Sequence, residues 1–186
     1  MHSGAWCYVL IRSTALDLAQ CFDLVRRATR PSAPQVLRLL DYVIFNALIG
    51  NHDAHAKNFS LLHSGKAPVL APLYDALSTA VYPTLTQKMA MKIGSKHTFS
   101  EVQARHWDQF AEGVGFTKAQ AKRRVLELAK SLPPTAHELQ SASGHRFAGN
   151  AVVERIIALI EQRCALTIRR LTDPAAENEA AAEPAA

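Results

Sequence analysis

The sequence predicts a mainly helical domain with one small β-hairpin. Apolar residues recur at helical spacing in several long stretches, and the stretch around Leu40 and Ile44 has the widest apolar face. Two short apolar segments, 59–63 and 68–72, flank Ser64-Gly65-Lys66, which is the pattern of a hairpin. The chain has 186 residues, of which 48% are hydrophobic, so it can form one globular domain with a sizeable core.

Two helices are predicted before the hairpin. A hydroxyl side chain at position 13 or 14 can cap the first helix, which should run to about Ala28. The second should cover residues 34–49, and its wide apolar face indicates a central, buried helix. Gly50 is a natural stop, because glycine readily adopts the left-handed conformation that often ends a helix. The second helix would therefore fix the position of the loop that follows it.

The chain after the hairpin is predicted to become helical again. Residues 88–93 alternate polar and apolar side chains, which indicates a short strand or extended segment, and residues 94–98 should turn. Pro133-Pro134 should break one helix from the next, because proline lacks the backbone N–H that a helix needs. The helices expected in this part cover residues 100–113, 117–132, 135–141 and 150–171.

Three parts are expected along the chain. Residues 1–13 permit no interpretation beyond a strand near residues 8–11. Residues 14–171 should form the folded domain. Residues 172–186 consist mainly of Ala, Glu and Pro and should be disordered, since they offer too little apolar variety to pack.

The formal net charge of +5 is unevenly distributed. Residues 172–186 hold four acidic residues and no basic one, so the rest of the chain carries 21 basic and 12 acidic residues, a balance of about +9. A basic body is compatible with ATP, nucleic acid or an acidic protein as partner and does not choose among them.

The sequence contains no signal for a membrane or for export. It has no run of about 18 apolar residues, so neither a membrane span nor a membrane partner is predicted. The apolar start lacks a basic region before it and is followed by Arg12, unlike a signal peptide. Cys7, Cys21 and Cys164 are scattered and lack C-x-x-C spacing, which fits reduced thiols and predicts a cytoplasmic protein.

A loop rich in ionisable residues joins the central helix to the hairpin. Loops held by a rigid scaffold are where chemistry tends to occur. Asp53 could accept a proton from a hydroxyl, and Lys57 could place a positive charge near a phosphate. Asn58 and Asp75, which ends the second strand, offer oxygen ligands of the kind that Mg²⁺ prefers. The spacing of Asp53 and Asn58 matches the Asp and Asn of a protein-kinase catalytic loop, which a metal-binding Asp follows after the next hairpin.

The same segment resembles a known family. The sequence Leu-Ile-Gly-Asn-His-Asp-Ala-His-Ala-Lys-Asn-Phe-Ser at 48–60, with Leu-Tyr-Asp at 73–75, closely resembles the catalytic core of HipA-type serine/threonine kinases, the toxin halves of bacterial toxin–antitoxin pairs. The similarity extends over about residues 17–171 and implies a protein-kinase-like C-lobe.

The resemblance implies a role for each residue of the motif. It implies that Asp53 is the catalytic base and that Asn58 and Asp75 hold Mg²⁺ and ATP, with Asp75 in the place of the Asp of Asp-Phe-Gly. His55 and Lys57 also occupy motif positions and are expected to take part in catalysis, Lys57 by contacting the nucleotide as well.

The resemblance also implies cofactors, partners and a missing lobe. The expected cofactors are Mg²⁺ and ATP. The expected partners are a protein substrate and a helix-turn-helix antitoxin, through which DNA would be contacted only indirectly.

No stretch before Asp17 can supply the glycine-rich loop and strand lysine of a kinase N-lobe. The chain is therefore expected to be a C-lobe without its N-lobe, inactive alone and weak in ATP binding, with a separate N-lobe chain as a further candidate partner.

Other functions are also compatible with the sequence. A degenerate lobe could survive as a non-catalytic module that binds an antitoxin or another partner. The adjacent His52 and Asp53 are also the signature of HD-type metal phosphohydrolases, which need further ligands such as His97, His106 or His137. A zinc site of His52 and His55 is a weaker alternative, because neither a cysteine nor a third ligand follows at the expected spacing.

Two further patterns favour structural interpretations. Gly113-x-Gly115 has no preceding strand and no third glycine, so it indicates a helix connection and not a phosphate loop. Five basic residues after residue 117 could bind nucleic acid, but a solvated helix face is the simpler interpretation. They are Lys118, Lys122, Arg123, Arg124 and Lys130.

Overall fold

The computed structural model describes the backbone of residues 7–10 and residues 16–63, 67–142 and 147–173. The helices in these ranges are Leu18–Ala28 (α1), Ser32–Ile49 (α2), Ala104–Gly113 (α3), Lys118–Ser141 (α4) and Ala151–Thr172 (α5). The strands are Cys7–Leu10 (β1), Ser60–His63 (β2), Val69–Leu70 (β3), Lys88–Ile93 (β4) and Lys96–Thr98 (β5). The fold is mainly helical with small antiparallel sheets, which confirms the predicted class.

Helix α2 forms the centre of the domain. It packs against α1, α4, α5 and β3. Most of its apolar side chains are buried, although Leu37 is exposed, and this confirms the predicted central position. Burying that much apolar surface is the main favourable contribution to folding. The buried apolar residues of α2 are Val36, Leu39, Leu40, Val43, Ile44, Ala47, Leu48 and Ile49.

Helices α1 and α3 begin later than predicted. Asp17 caps α1, because its carboxylate accepts from the backbone N–H of Gln20 and the Gln20 side chain accepts from the Asp17 N–H. Residues 13 and 14 lie outside the described part of the chain. Residues 99–101 form a separate 3₁₀ turn, and α3 begins after Gln103, whose backbone N–H donates to His106 Nδ1 at 2.8 Å. The first turn of the helix predicted over residues 100–113 is therefore separate from α3.

Helix α4 does not break at the two prolines. It continues through Pro133 and Pro134 to Ser141, so the prediction of two helices with a break was wrong. The prolines remove two backbone donors, but α4 packs along α5. Beyond the prolines, His137 Nε2 lies 2.8 Å from Glu161 Oε1 of α5, which holds the end of α4 against its neighbour.

The strands form two small antiparallel sheets. The predicted hairpin is present as β2 and β3, with Leu62 opposite Val69. Strand β1 extends it into a three-stranded sheet of order β1-β2-β3, with Cys7 opposite His63. Residues 94–98 were expected only to turn, but the turn is confined to Gly94-Ser95 and residues 96–98 pair with β4. One hairpin was predicted, and the described chain contains two.

Three further expectations concern the cysteines, membrane-spanning helices and the C-terminal tail. Cys21 and Cys164 are buried free thiols, and burial raises the pKa of each to about 12. Among the described residues, no helix is both long enough and apolar enough to cross a membrane. The tail predicted to be disordered lies outside the described residues from position 174 onward.

Candidate active site

The end of α2 positions the ionisable loop. Gly50 ends the helix in the left-handed conformation, with φ of 78°, as predicted for a glycine stop. The backbone N–H of Asn51 then donates to the carbonyl of Asn46, 2.9 Å away, so the chain turns tightly off the helix. A Cβ at position 50 would lie 2.8 Å from both Ala80 Cβ and Leu159 Cδ2, so a larger residue does not fit.

The loop itself is ordered by short-range backbone bonds. The N–H of His55 donates to the carbonyl of Asp53 at 2.9 Å, and the N–H of Asn58 donates to the carbonyl of His55 at 2.9 Å. Residues 56–58 form a 3₁₀ turn. Asp53 and Lys57 are exposed, whereas Asn58 is buried. The loop therefore presents one carboxylate and one ammonium group to solvent.

Asn58 and Asp75 are in direct contact. Asn58 Nδ2 donates to Asp75 Oδ2 over 2.8 Å, although the two residues come from different ends of the hairpin. Asp75 adopts a left-handed conformation with φ of 55°, which is uncommon for a residue other than glycine. The bond leaves the amide oxygen of Asn58 and the second carboxylate oxygen of Asp75 as oxygen atoms that can coordinate a cation. Two predicted site residues are therefore brought together.

Asn51 links this pair to Asp53, and sequence reasoning missed its role. Its side-chain oxygen accepts from the Asp53 N–H at 3.1 Å. Its Nδ2 group donates to the Asp75 carbonyl and to Asn46 Oδ1, both at 2.9 Å. The residue is 3% exposed. A polar side chain directly after a helix-ending glycine and next to a charged motif was the available signal.

His55 lies beside Asp53. Its Nε2 atom is 3.8 Å from Asp53 Oδ1, a distance at which the two side chains neighbour each other without a hydrogen bond. The Asp53 side chain is 65% exposed, so it can reach a substrate from solvent. His55 Nδ1 is buried and has no hydrogen-bond partner within the described residues.

Tyr74 fixes the backbone next to the site, and this role was also missed. Its hydroxyl donates to the Lys57 carbonyl over 2.7 Å. Because a phenol has a single proton, the contact of 2.6 Å to Ser60 is one in which Ser60 Oγ donates. These bonds tie the 3₁₀ turn to the segment that leads into Asp75.

His52 does not point at the candidate site. It is 3% exposed, and its Nδ1 lies 3.0 Å from the carbonyl of Thr86. Its Nε2 lies 2.7 Å from a guanidinium nitrogen of Arg163, which can only donate. Nε2 must therefore accept and Nδ1 must donate, so the ring is neutral. Burial and, to a smaller extent, the Arg163 charge lower the pKa of His52.

The metal-site alternatives find no support in this arrangement. Both ring nitrogens of His52 are occupied, so it cannot join Asp53 or His55 around a metal. His97 bonds the Met89 carbonyl, His106 bonds the Gln103 N–H, and His137 lies against Glu161, each in a different place. In the described ranges, no group of three His, Cys, Asp or Glu residues could hold a metal ion. Within these ranges the ligands of an HD-type site are not assembled.

The basic residues of α4 are largely paired on its surface. Arg124 Nη2 donates to Asp41 Oδ2 of α2 at 2.8 Å, so this arginine joins two helices. Lys118 lies 3.2 Å from Glu112, and Arg123 lies 3.7 Å from Glu127. This pattern fits the interpretation as a solvated helix face.

Residues 7–136 match the sequence model of the HipA-like C-terminal domain. The chain belongs to the HipA-like C-terminal domain family. The match begins in β1, earlier than the start near residue 17 that the resemblance indicated, and ends inside α4. Residues 7–10 are therefore part of the family match.

Two curated relatives of the chain are kinases by name. Y4mE of Sinorhizobium fredii, provisionally named a kinase, is 48% identical over 111 residues, which are 60% of this chain and 26% of that protein. The serine/threonine-protein kinase toxin HipA of Shewanella oneidensis is 27% identical over 118 residues, 63% of this chain and 27% of the toxin. The HipA-like chain thus spans about a quarter of the length of these curated relatives.

A solved structure has the same fold. It is the complex of Shewanella oneidensis HipA with HipB and its operator DNA. The matching chain has a TM-score of 0.73 and 22% identity, and the match covers 91% of this chain and 38% of that one. At this identity the likeness supports the fold alone. The HipA-like C-terminal domain is thereby related in sequence and in fold to a serine/threonine kinase toxin.

Proposed function

We propose that residues 14–171 are the catalytic lobe of a serine/threonine protein kinase that transfers the γ-phosphoryl group of ATP to a protein hydroxyl. The observation that carries this proposal is the 2.8 Å contact of Asn58 with Asp75, next to the exposed Asp53, in a chain of the HipA-like family. These residue types at these places are those of a kinase catalytic loop and its metal-binding aspartate.

The donor set fits Mg²⁺. Asn58 and Asp75 offer amide and carboxylate oxygens, which are hard ligands suited to this ion. They supply fewer ligands than a protein-only metal site needs, but Mg²⁺ in kinases completes its coordination with water and phosphate oxygens. When bound, the ion would neutralise charge on the transferred phosphate. Asn58 and Asp75 are the residues that would hold it.

The other residues of the loop have separate proposed tasks. Asp53 orients the acceptor hydroxyl and takes its proton, for which its exposure is suited. Lys57, also exposed, provides positive charge for the nucleotide phosphates. His55, whose Nε2 lies 3.8 Å from Asp53 Oδ1, assists Asp53 in this task. Preorganised charge, which needs no rearrangement during the reaction, supplies most of the rate enhancement in this class of enzyme.

The 186-residue chain on its own is proposed to have negligible kinase activity and weak ATP affinity. Its eight glycines include no G-x-G-x-x-G pattern, so a glycine-rich loop over the phosphates would have to come from an N-lobe outside these residues. That lobe could lie on the same polypeptide or on a separate chain. Robust Mg²⁺-dependent phosphorylation by the purified chain would contradict this part of the proposal.

A helix-turn-helix antitoxin is the proposed protein partner, in the cytoplasm. The structural relative is a HipA bound to HipB and operator DNA, which supports an antitoxin as the class of partner. DNA would then be contacted through the antitoxin. The alternative function, a non-catalytic module that only binds such a partner, needs no metal or nucleotide.

Isothermal titration with Mg-ATP tests the proposal. The wild-type chain should give a weak, saturable signal that Asp75→Asn abolishes, because the substitution removes the charged ligand. Asp23→Asn is the matched control, since in the described part of the chain its carboxylate pairs with Arg26 and Arg27 of its own helix. An unchanged signal in Asp75→Asn would exclude Asp75 as a ligand. No signal in any of the three proteins, with capture of an antitoxin intact, would favour the non-catalytic module.

A further inference from the structure

We propose that Asn51 is a positioning residue that sets the geometry of both candidate catalytic carboxylates, Asp53 and Asp75. This inference rests on the proposed function for its consequence, but its structural content can be tested without it. The side chain of Asn51 bonds the backbone of both residues, through an acceptor on one side and a donor on the other. No other described side chain is hydrogen-bonded to the backbone of both.

The bond to Asp75 holds an unfavourable backbone conformation. Asp75 is the one residue other than glycine with positive φ in the described chain. Such a conformation persists only where its surroundings enforce it. The Asn51 Nδ2 group donates to the Asp75 carbonyl at 2.9 Å, while the Asp75 carboxylate meets Asn58 at 2.8 Å. Fixing the carbonyl therefore fixes the direction in which the carboxylate leaves the chain.

The bond to Asp53 shapes the other side of the site. The Asp53 N–H donates to Asn51 Oδ1 at 3.1 Å, which orders the first residues of the loop. The Asp53 side chain itself is largely exposed and has no such anchor of its own. Its position therefore depends on the backbone that Asn51 holds.

Asn51 can do this because it is anchored to the central helix. Its backbone N–H donates to the Asn46 carbonyl, and its Nδ2 group donates to Asn46 Oδ1, both at 2.9 Å. Asn46 in turn donates from Nδ2 to the Tyr42 carbonyl at 2.9 Å. The buried Asn51 amide makes three side-chain hydrogen bonds, and such a group is rigid and costly to disrupt. The bonds transmit the fixed position of α2 to both carboxylates.

Only an amide of this length meets the requirement. The site needs two donors and one acceptor on a short side chain. Aspartate at position 51 would keep the acceptor for Asp53 but lose both donors. Alanine would lose all three bonds. The two substitutions therefore separate the contribution to Asp53 from the contribution to Asp75.

NMR of the 186-residue chain without added cation tests the structural part. In the wild type the Asp53 amide should exchange slowly with solvent, and Asp75 should show the strong intraresidue HN–Hα NOE of a left-handed residue. Asn51→Asp should keep the slow exchange and lose the strong NOE, whereas Asn51→Ala should lose both. Asn46→Ala is a graded control, because it removes one anchor of Asn51 but leaves the backbone bond from the Asn51 N–H to the Asn46 carbonyl and all contacts of Asn51 with Asp53 and Asp75. It should therefore weaken both signals less than Asn51→Ala does.

Mn²⁺ affinity, measured by electron paramagnetic resonance, tests the consequence. Asn51→Ala should weaken Mn²⁺ binding by about tenfold or more, the usual effect of removing a group that orients a ligand, and Asn46→Ala should change it much less. Asn51→Asp should also weaken it, although its added negative charge alone would favour the cation. If the wild type binds no Mn²⁺, the proposed function fails and the NMR signals still decide the role of Asn51. The inference would be overturned if Asn51→Ala retained both NMR signals and Asn51→Asp retained the NOE. It would also be overturned if Asn46→Ala lost the two signals to the same extent as Asn51→Ala.

Discussion

Arg163 of α5 donates a hydrogen bond to Nε2 of His52 over 2.7 Å, which joins the last helix to the loop that carries Asp53. The same guanidinium donates to the Ala47 carbonyl at 2.9 Å and lies 4.3 Å from the centre of the Phe99 ring. Burial lowers the pKa of Arg163 to about 10, so the group stays charged at neutral pH. The loop is therefore held in place by a helix more than a hundred residues away in sequence.

The neutral state of His52 predicts a loss of stability in acid. Its pKa in the folded protein is below the ordinary value of 6.5, chiefly because of burial. The unfolded chain thus takes up a proton at higher pH than the folded chain does. The His52 contribution should be complete above about pH 6.5 and be lost as the pH falls through the lower folded pKa, with a slope of at most about 1.4 kcal/mol per pH unit.

Urea denaturation of the wild type and His52→Gln between pH 7.5 and 5 measures this contribution. The difference in free energy of unfolding between the two proteins should shrink as the pH falls. Burial also lowers the pKa of His106, so its titration gives both proteins a further pH dependence of stability with the same sign. Repeating the comparison with His106→Gln present in both proteins removes that contribution. A difference that stays constant over the whole range would contradict the assignment of His52 as neutral.

Asn58→Asp should destabilise the chain at neutral pH. The substitution replaces a donor with a second carboxylate at hydrogen-bond distance from Asp75, and two carboxylates sharing one site repel each other. The expected loss is about 2 kcal/mol, recovered in part by acidification or by a divalent cation. Thermal melts at several pH values, with and without Mg²⁺, measure it. Asn58→Ala serves as control and should show a loss that neither treatment restores; equal behaviour of the two variants would argue against the contact.

Gly50→Ala should be strongly destabilising, whereas Gly113→Ala should be tolerated. At Gly50 the backbone is left-handed and a Cβ would lie within 2.8 Å of two side chains, so strain and crowding add. The expected cost is about 3 kcal/mol. Gly113 ends α3 without positive φ and has open space around it, so alanine should be neutral or stabilise by about 0.5 kcal/mol. Urea midpoints of the two variants test this, and a similar cost at both positions would refute it.

The sequence was most informative where local chemistry determines structure. The glycine stop at Gly50, the helix starts near residues 117 and 150 and the β2–β3 hairpin were all predicted, because each depends on a few neighbouring residues. The contact of Asn58 with Asp75 could be anticipated from the kinase-like spacing, since the hairpin returns the chain to the loop.

Other features depend on contacts between distant residues. The continuation of α4 through Pro133 and Pro134 depends on packing against α5, which local propensity cannot show. The pairing of β1 with β2 joins segments about fifty residues apart. The role of Asn51 was missed because its importance lies in three partners, of which Asp75 is distant in sequence.

Paramagnetic broadening by Mn²⁺, used in place of Mg²⁺, tests most directly whether Asp53, Asn58 and Asp75 surround one cation site. In the wild type, the amide signals of these residues should broaden together at low Mn²⁺ concentration, before those of other acidic residues. In Asp75→Asn this selective broadening should disappear, while Asp23→Asn should retain it. Broadening that spares Asn58 and Asp75, or that persists in Asp75→Asn, would contradict the proposed catalytic site.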